Sequence, residues 1–135
     1  MADPTPRVTP YLLYEDVNTA LDWLTQAFGL RENSRMAGPD GKVRHAEMLV
    51  GADGMVLMGW PGAQYRNPKH LGQHTQYLYI ALDEGIDEHF ERAVQAGAVV
   101  LERPADQPYG ARRYGVEDPE GHRWYFAQPI RKPGG

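Results

Sequence analysis

Near its C-terminus the chain reads DPEGHRWYFAQ, from Asp118 to Gln128. The first four residues suit a type I turn: the Asp118 carboxylate can bond nearby backbone, Pro119 pre-sets its own φ, and Gly121 closes the turn. The residues after the turn alternate and end in aromatics, the pattern of a strand leaving a hairpin. Strand side chains alternate between faces, so Trp124 and Phe126 share one face while Arg123 and Tyr125 share the other. The first pair suits a core. The second pair lines a face whose use the rest of the sequence must explain.

The same punctuation occurs once earlier. Ala52-Asp53-Gly54 precedes Met55-Val56-Leu57-Met58, as Pro119-Glu120-Gly121 precedes His122-Arg123-Trp124-Tyr125. Ahead of each lies another strand-like run, RHAEMLV from Arg44 and ARRYGVE from Ala111. Each half has a helix ending at glycine, in AFG (Ala27–Gly29) and QAG (Gln95–Gly97), and an apolar strand before it, TPYLLY from Thr9 and QYLYIAL from Gln76. The order strand–helix–strand–strand–strand therefore occurs twice, and the chain reads as α+β. In the first helix Leu21, Leu24, Ala27 and Phe28 form one stripe with Trp23 at its edge. Asn18 or Thr19 is placed to cap it, and Gly29 to end it. In the second, Asp87 is the expected cap, with Ile86, Phe90, Ala93 and Val94 inward. The segment from Trp60 to His74 reads as a loop, with Pro68 and Gly72 arguing against a helix between His70 and His74.

Composition bounds the function. The chain has 135 residues and a formal net charge of −4, with 24% charged residues of both signs. One domain with a real core is expected, and no basic face for nucleic acid. There is no cysteine, hence no disulfide, thiolate nucleophile or Cys-bound metal. No run is apolar enough to span a bilayer, and MADPTPR lacks the basic-then-apolar order of a secretion signal, so a cytoplasmic location is the expectation.

The doubled βαβββ unit with D-P-x-G-H-x-W in its last hairpin resembles the vicinal oxygen chelate superfamily. That group contains glyoxalase I, extradiol dioxygenases, fosfomycin-resistance enzymes and bleomycin-resistance proteins. TPYLLYEDV, RHAEM and DQPYGARRYGVEDPEGHRWYFAQ are similar to its PhnB-like, glyoxalase/bleomycin-resistance branch. The resemblance implies a single domain over residues 1–135, with one module over about 8–61 and a second over about 75–129. It implies curled, half-open sheets with helices on their outer face, and a cleft between the concave faces, often shared across a homodimer.

Parity then proposes the cleft lining. Leu78, Ile80 and Leu82 suit the helix side, which puts Tyr77 and Tyr79 in the cleft with Arg123 and Tyr125. Matching the halves by offset adds His45 and Glu47, Arg112 and Tyr114, then Met58 and Trp60, and Tyr11 with Leu13. Tyr65 and Tyr109 join them from loops. The expected ligand-binding set is thus Tyr11, His45, Glu47, Met58, Trp60, Tyr65, Tyr77, Tyr79, Tyr109, Arg112, Tyr114 and Tyr125. A one-residue bulge flips any such assignment.

Metal-dependent members of the superfamily hold a divalent ion with His, Glu or Gln at positions that fall here on Thr9, Met58, Tyr77 and Tyr125. None is a normal ligand, and a one-residue shift brings only Gln76. No cofactor and no metal are therefore expected. The leading expectation is a metal-free protein of bleomycin-resistance type, a homodimer that sequesters an aromatic or amphipathic small molecule, with no nucleic acid and no membrane as partner. Two alternatives stay open. One is a divalent-metal lyase, isomerase or dioxygenase using His45 and Glu47. The other is a cofactor-free isomerase in which the same two residues move a proton.

Overall fold

Two tight hairpins set the architecture. In the computed structural model, which describes residues 6–130, β3 (Val43–Val50) turns into β4 (Gly54–Gly59), and β7 (Ala111–Glu117) into β8 (Arg123–Pro129). Val50 pairs with Gly54 across the first turn, and Asp118 N–H donates to the His122 carbonyl at 2.9 Å across the second. Each loop therefore holds three residues, 51–53 and 119–121. Gly121 ends its loop with φ +92, the left-handed residue that a three-residue hairpin needs. A Cβ there would also lie 2.6 Å from the Lys69 backbone nitrogen.

A third strand completes each sheet on one side and a parallel first strand on the other. β2 (Arg31–Ala37) and β1 (Tyr11–Leu13) give the order β1-β4-β3-β2. β6 (Val99–Asp106) and β5 (Tyr77–Ala81) give β5-β8-β7-β6. Helix α1 (Val17–Phe28) lies between β1 and β2 in the chain, and α3 (Ile86–Gln95) between β5 and β6. The connecting loop carries a short helix, α2 (Pro68–Leu71), started by Asn67 and ended by left-handed Gly72. The Pro–Gly punctuation thus encloses one helical turn where a plain loop was expected: proline is acceptable at a first helical position and glycine just past the last.

The apolar stripe of α1 is buried as its spacing predicts, with Leu21, Leu24, Ala27 and Phe28 in the core. Its cap differs: the Asp16 carboxylate, not Asn18 or Thr19, accepts from Thr19 N–H at 3.0 Å. Asn18 instead accepts from Val43 N–H. On α3 the cap position is Gly85, Asp87 lies one residue inside the helix, and Gln128 accepts from Ile86 N–H at 2.8 Å.

Helices α1 and α3 pack on each other, and one core joins both halves. Phe28 meets Trp124, Phe126 and His89 there. Trp23 Nε1 donates to the Ala96 carbonyl at 2.7 Å, and Arg92 donates to the carbonyls of Thr25 and Gln26 at the end of α1. His89 Nε2 donates to the Phe28 carbonyl at 3.2 Å, so its Nδ1 accepts from the Tyr114 hydroxyl. A third tie is the DPEGH turn. Buried Asp118 accepts from Tyr14 Oη at 2.6 Å and Trp124 Nε1 at 3.1 Å through one oxygen, and from the N–H groups of Glu120 and His122 through the other. Glu120 accepts from Glu15 N–H, Asp16 N–H and Asn67 Nδ2.

This packing has two measurable consequences. Asp118→Ala leaves four donors without their acceptor, and the expected loss in urea denaturation is about 3 kcal/mol or more, against about 1 kcal/mol for Tyr14→Phe. The second concerns pH. Burial raises Tyr14 and Tyr114 above the ordinary tyrosine range and pushes Tyr65 up to about 12. Burial also lowers His89. Above about pH 10 the unfolded chain releases tyrosine protons that the folded chain keeps, so stability falls as pH rises. Below about pH 6.5 the unfolded chain gains a proton that His89 refuses in the fold, so stability falls there too. A plateau between these limits is expected in denaturation midpoints, with a shallower alkaline limb in Tyr114→Phe.

Candidate functional site

Because the helices cover one face of each sheet, the opposite face of each turns away from the core. Face one belongs to the first sheet. Parallel pairing sets Tyr11 beside Leu57 and Leu13 beside Gly59, and antiparallel pairing sets His45 beside Gly59 and Glu47 beside Leu57. Tyr11, Leu13, His45, Glu47 and Leu57 therefore share this face. Tyr11 Oη and His45 Nδ1 share a hydrogen bond of 2.9 Å. His45 Nε2 lies 3.9 Å from Glu47 Oε2, and Asn33 Nδ2 donates to the other oxygen of Glu47 at 3.1 Å. The result is a connected row, Tyr11–His45–Glu47–Asn33, across three strands. His45 and Glu47 therefore lie close without a direct hydrogen bond between them.

Face two belongs to the second sheet and is more aromatic. Tyr77, Tyr79 and Tyr125 share it by the pairings Tyr77 to Arg123 and Tyr79 to Tyr125. Tyr77 and Tyr79 are 52% and 49% exposed, while Tyr125 is 9% exposed. The Tyr125 ring lies on Gly115, where a Cβ would collide with it. Tyr77 meets the same ring at 4.4 Å between centroids, and the Arg113 guanidinium sits 5.5 Å over it. Tyr109, at the tip of the β6–β7 hairpin, reaches back to Tyr79 Oη at 3.3 Å and accepts from Arg113 Nη1 at 3.2 Å. This is the face to which Arg123 and Tyr125 of DPEGHRWYFAQ belong.

Four residues that strand parity assigned to the lining lie instead on the helix side. Met58 is fully buried on the helix side of its strand. Tyr114 is fully buried too, because it pairs with Phe126 and meets Phe90 and His89 under α3. Arg112 shares that helix side and is held by Asp87 at 3.0 Å and Asp106 at 3.1 Å. Trp60 leaves β4 on the helix side as well, beneath Lys42 and Arg44. One cause explains all four. Gly54 is the first paired residue after its loop, whereas Gly121 is the last residue of its own. Matching the halves glycine to glycine is therefore off by one. The true equivalents are Leu57 with Tyr125 and His45 with Arg113. Arg113 and Gly115 are the residues that reasoning missed. Counting across the hairpin from the three-residue loop finds them.

Tyr65 is in neither face: its hydroxyl donates to the Leu13 carbonyl at 2.9 Å from the connecting loop. One histidine of the connecting loop and the one in the last hairpin turn are bonded to distant residues. His70 pairs with Glu15 at 2.6 Å, and His122 Nε2 donates to the Leu13 carbonyl at 2.7 Å. A recess of about 520 Å³, lined by Val8, Pro10, Val50, Val56, Leu78 and Ile80, lies between the β3–β4 turn and β5. It contains none of His45, Glu47 or Arg113.

The donor set does not fit a divalent ion. Met58 points into the core, and its neighbour on face one is Leu57. Tyr77 and Tyr125 offer phenols only. Among the described residues no group of three or more His, Cys, Asp or Glu is placed to hold a metal. Among them, too, no helix is long and apolar enough to cross a membrane.

Comparison with known proteins agrees with this architecture. TioX from Micromonospora sp. ML1 is 35% identical, superposes with a TM-score of 0.73, and is matched over 93% of this chain and 100% of its own. An uncharacterized protein of Mycobacterium bovis is 33% identical over 131 residues, 94% of this chain and 86% of the relative. The fosfomycin resistance protein FosX from Mesorhizobium loti, at 15% identity, shares the fold with a TM-score of 0.66 over 93% of this chain and 92% of its own. The family described as Glyoxalase/Bleomycin resistance protein/Dioxygenase superfamily matches residues 7–126, and the chain belongs to it.

Proposed function

We propose that this chain binds a planar aromatic or amphipathic small molecule and sequesters it without chemistry. The observation that carries this reading is the pair of uncovered sheet faces, which leave Tyr11, Leu13 and Met36 exposed on one side and Tyr77, Tyr79 and Val99 on the other. Exposed apolar area of this kind marks a surface meant to be covered. Aromatic walls give a ligand large contact area and lose little entropy on binding. The faces point away from each other within one chain. A homodimer that sets face one of each copy against face two of its partner encloses two equivalent clefts, in keeping with closed two-fold symmetry.

A second reading rests on the Tyr11–His45–Glu47 row. A hydroxyl, an imidazole and a carboxylate in line are the parts of a proton relay. In that case the bound compound is turned over by a cofactor-free enzyme.

The test is a screen of planar aromatic natural products by equilibrium dialysis, with mass analysis of the recovered compound and the particle mass measured by light scattering. Sequestration predicts two chains per particle and a compound recovered unchanged. It also predicts an affinity lowered about tenfold or more in Tyr79→Ala, with folding stability held within about 0.5 kcal/mol. A compound recovered in altered form, with alteration lost in His45→Ala, supports the relay instead. A monomer with unimpaired binding removes the shared cleft.

A further inference from the structure

Resting on the binding reading above, we infer that face two is a stacking platform selective against anionic ligands, with Glu102 as the residue that sets this preference through Arg113. A guanidinium beside three tyrosines invites reading as an anion receptor, but its bonds say otherwise. Each of its three nitrogens already donates within the chain: Nε and Nη2 to the two oxygens of Glu102 at 3.1 and 3.3 Å, and Nη1 to Tyr109 at 3.2 Å. The bidentate carboxylate both fixes the plane of the group and matches its charge. One N–H on Nη1 and one on Nη2 stay unspent, but the charge they carry is already matched by Glu102, and the flat face of the guanidinium beside the Tyr125 ring offers a surface suited to stacking on a planar system.

The rest of the face obeys the same balance. Its other arginine, Arg123, is held by Glu117 at 3.0 Å. Tyr77, Tyr79, Tyr109 and Tyr125 add area and hydroxyls without charge. Across the proposed cleft, face one contributes the Glu47 carboxylate, which no lysine or arginine among the described residues bonds. A carboxylate or phosphate on the ligand therefore meets two arginines already paired and one carboxylate facing it.

Gly115 is part of the device. It leaves the Tyr125 ring the space that a side chain would fill, and the Arg113 guanidinium lies 5.5 Å from the centre of that ring. This strand position corresponds to Glu47 of the first sheet, so the two halves have diverged there into a flat platform and a polar wall.

The experiment uses one ring system in three charge states: aminoacridine as the cation, acridine as the neutral form and acridine carboxylate as the anion, titrated into the full chain at neutral pH and read by fluorescence polarisation. The expected result is binding of the cation and the neutral ring, with the anion weaker by about tenfold or more. Glu102→Gln frees Arg113 and is expected to raise the affinity for the anion about tenfold while leaving the neutral ring within about twofold. Arg113→Lys keeps the charge and loses the plane, so it weakens all three rings and preserves their order. Circular dichroism confirms that each variant is folded; should Glu102→Gln unfold, the order in the unaltered chain and in Arg113→Lys decides. An anion bound as tightly as the neutral ring, or a Glu102→Gln variant with an unchanged anion-to-neutral ratio, overturns the inference and leaves the binding reading standing. Failure of all three rings to bind overturns the stacking surface itself, and the inference with it.

Discussion

The Asp118 carboxylate is the constraint on which the two halves depend. It sits at the start of the last hairpin loop, with one oxygen holding the loop's own N–H groups and the other turned to Tyr14 and Trp124. Removing a carboxylate from water is costly, and burial pushes its pKa up against the pull of these donors. The arrangement survives because every lone-pair direction meets a donor. Tyr14 belongs to the first half, a hundred residues away, so a turn that shapes one hairpin also fixes how the halves meet. Glu120 extends the joint by accepting the backbone N–H groups ahead of α1. DPEGHRW is in this sense a structural motif: Asp118, Glu120 and His122 fasten the turn to the first half, and Trp124 fills the core behind it.

That joint, with the α1–α3 seam, decides where the useful surfaces lie. Once the helices meet each other, each is flanked by a sheet, and each sheet has one face left over. The residues on these faces then differ by strand pairing alone. Face one carries hydrogen-bonding groups on neighbouring strands, and face two carries phenol rings and paired arginines. Duplication supplied two copies of one frame. The residues at equivalent positions, His45 against Arg113, Glu47 against Gly115 and Leu57 against Tyr125, make them different.

The frame was legible in the sequence because glycine, proline and apolar spacing report backbone demands directly. Both long helices, the eight strands and their order follow from that punctuation. The faces of β5 and β8 were legible too, since Leu78 with Ile80 and Trp124 with Phe126 are plainly the apolar sets. The faces of β4 and β7 were not. Both strands are apolar or mixed on each side, so their parity was borrowed from an alignment of the halves. Period-two alternation turns a one-residue error into a complete inversion. The helix caps were misplaced for a related reason: Asp16, Asn18 and Thr19 are all competent, and only the tertiary demand of Val43 on Asn18 separates them. The bonds of His70 and His122 were not legible because their partners, Glu15 and the Leu13 carbonyl, lie far away in the chain.

The two uncovered faces have many of their polar groups already bonded to one another, and on the proposed binding reading this has a physical reason. Glu47 is held by Asn33, His45 by Tyr11, Arg113 by Glu102 and Tyr109, and Tyr79 by Tyr109. Every side chain that a site must order when its ligand arrives costs binding energy, and these bonds order them beforehand. They also match the charged groups to one another, which on the proposed binding reading turns recognition from ion pairing towards shape, ring contact and overall charge. Catalysis asks for the reverse: an acid or base with a free lone pair or proton aimed at the reacting atom. Face one retains one such arrangement in its Tyr11–His45–Glu47 row, while face two retains none. The division of labour that this implies is physical before it is biological. In the proposed dimer one wall offers planar area at fixed orientation, and the opposite wall would read the edge of whatever lies on it.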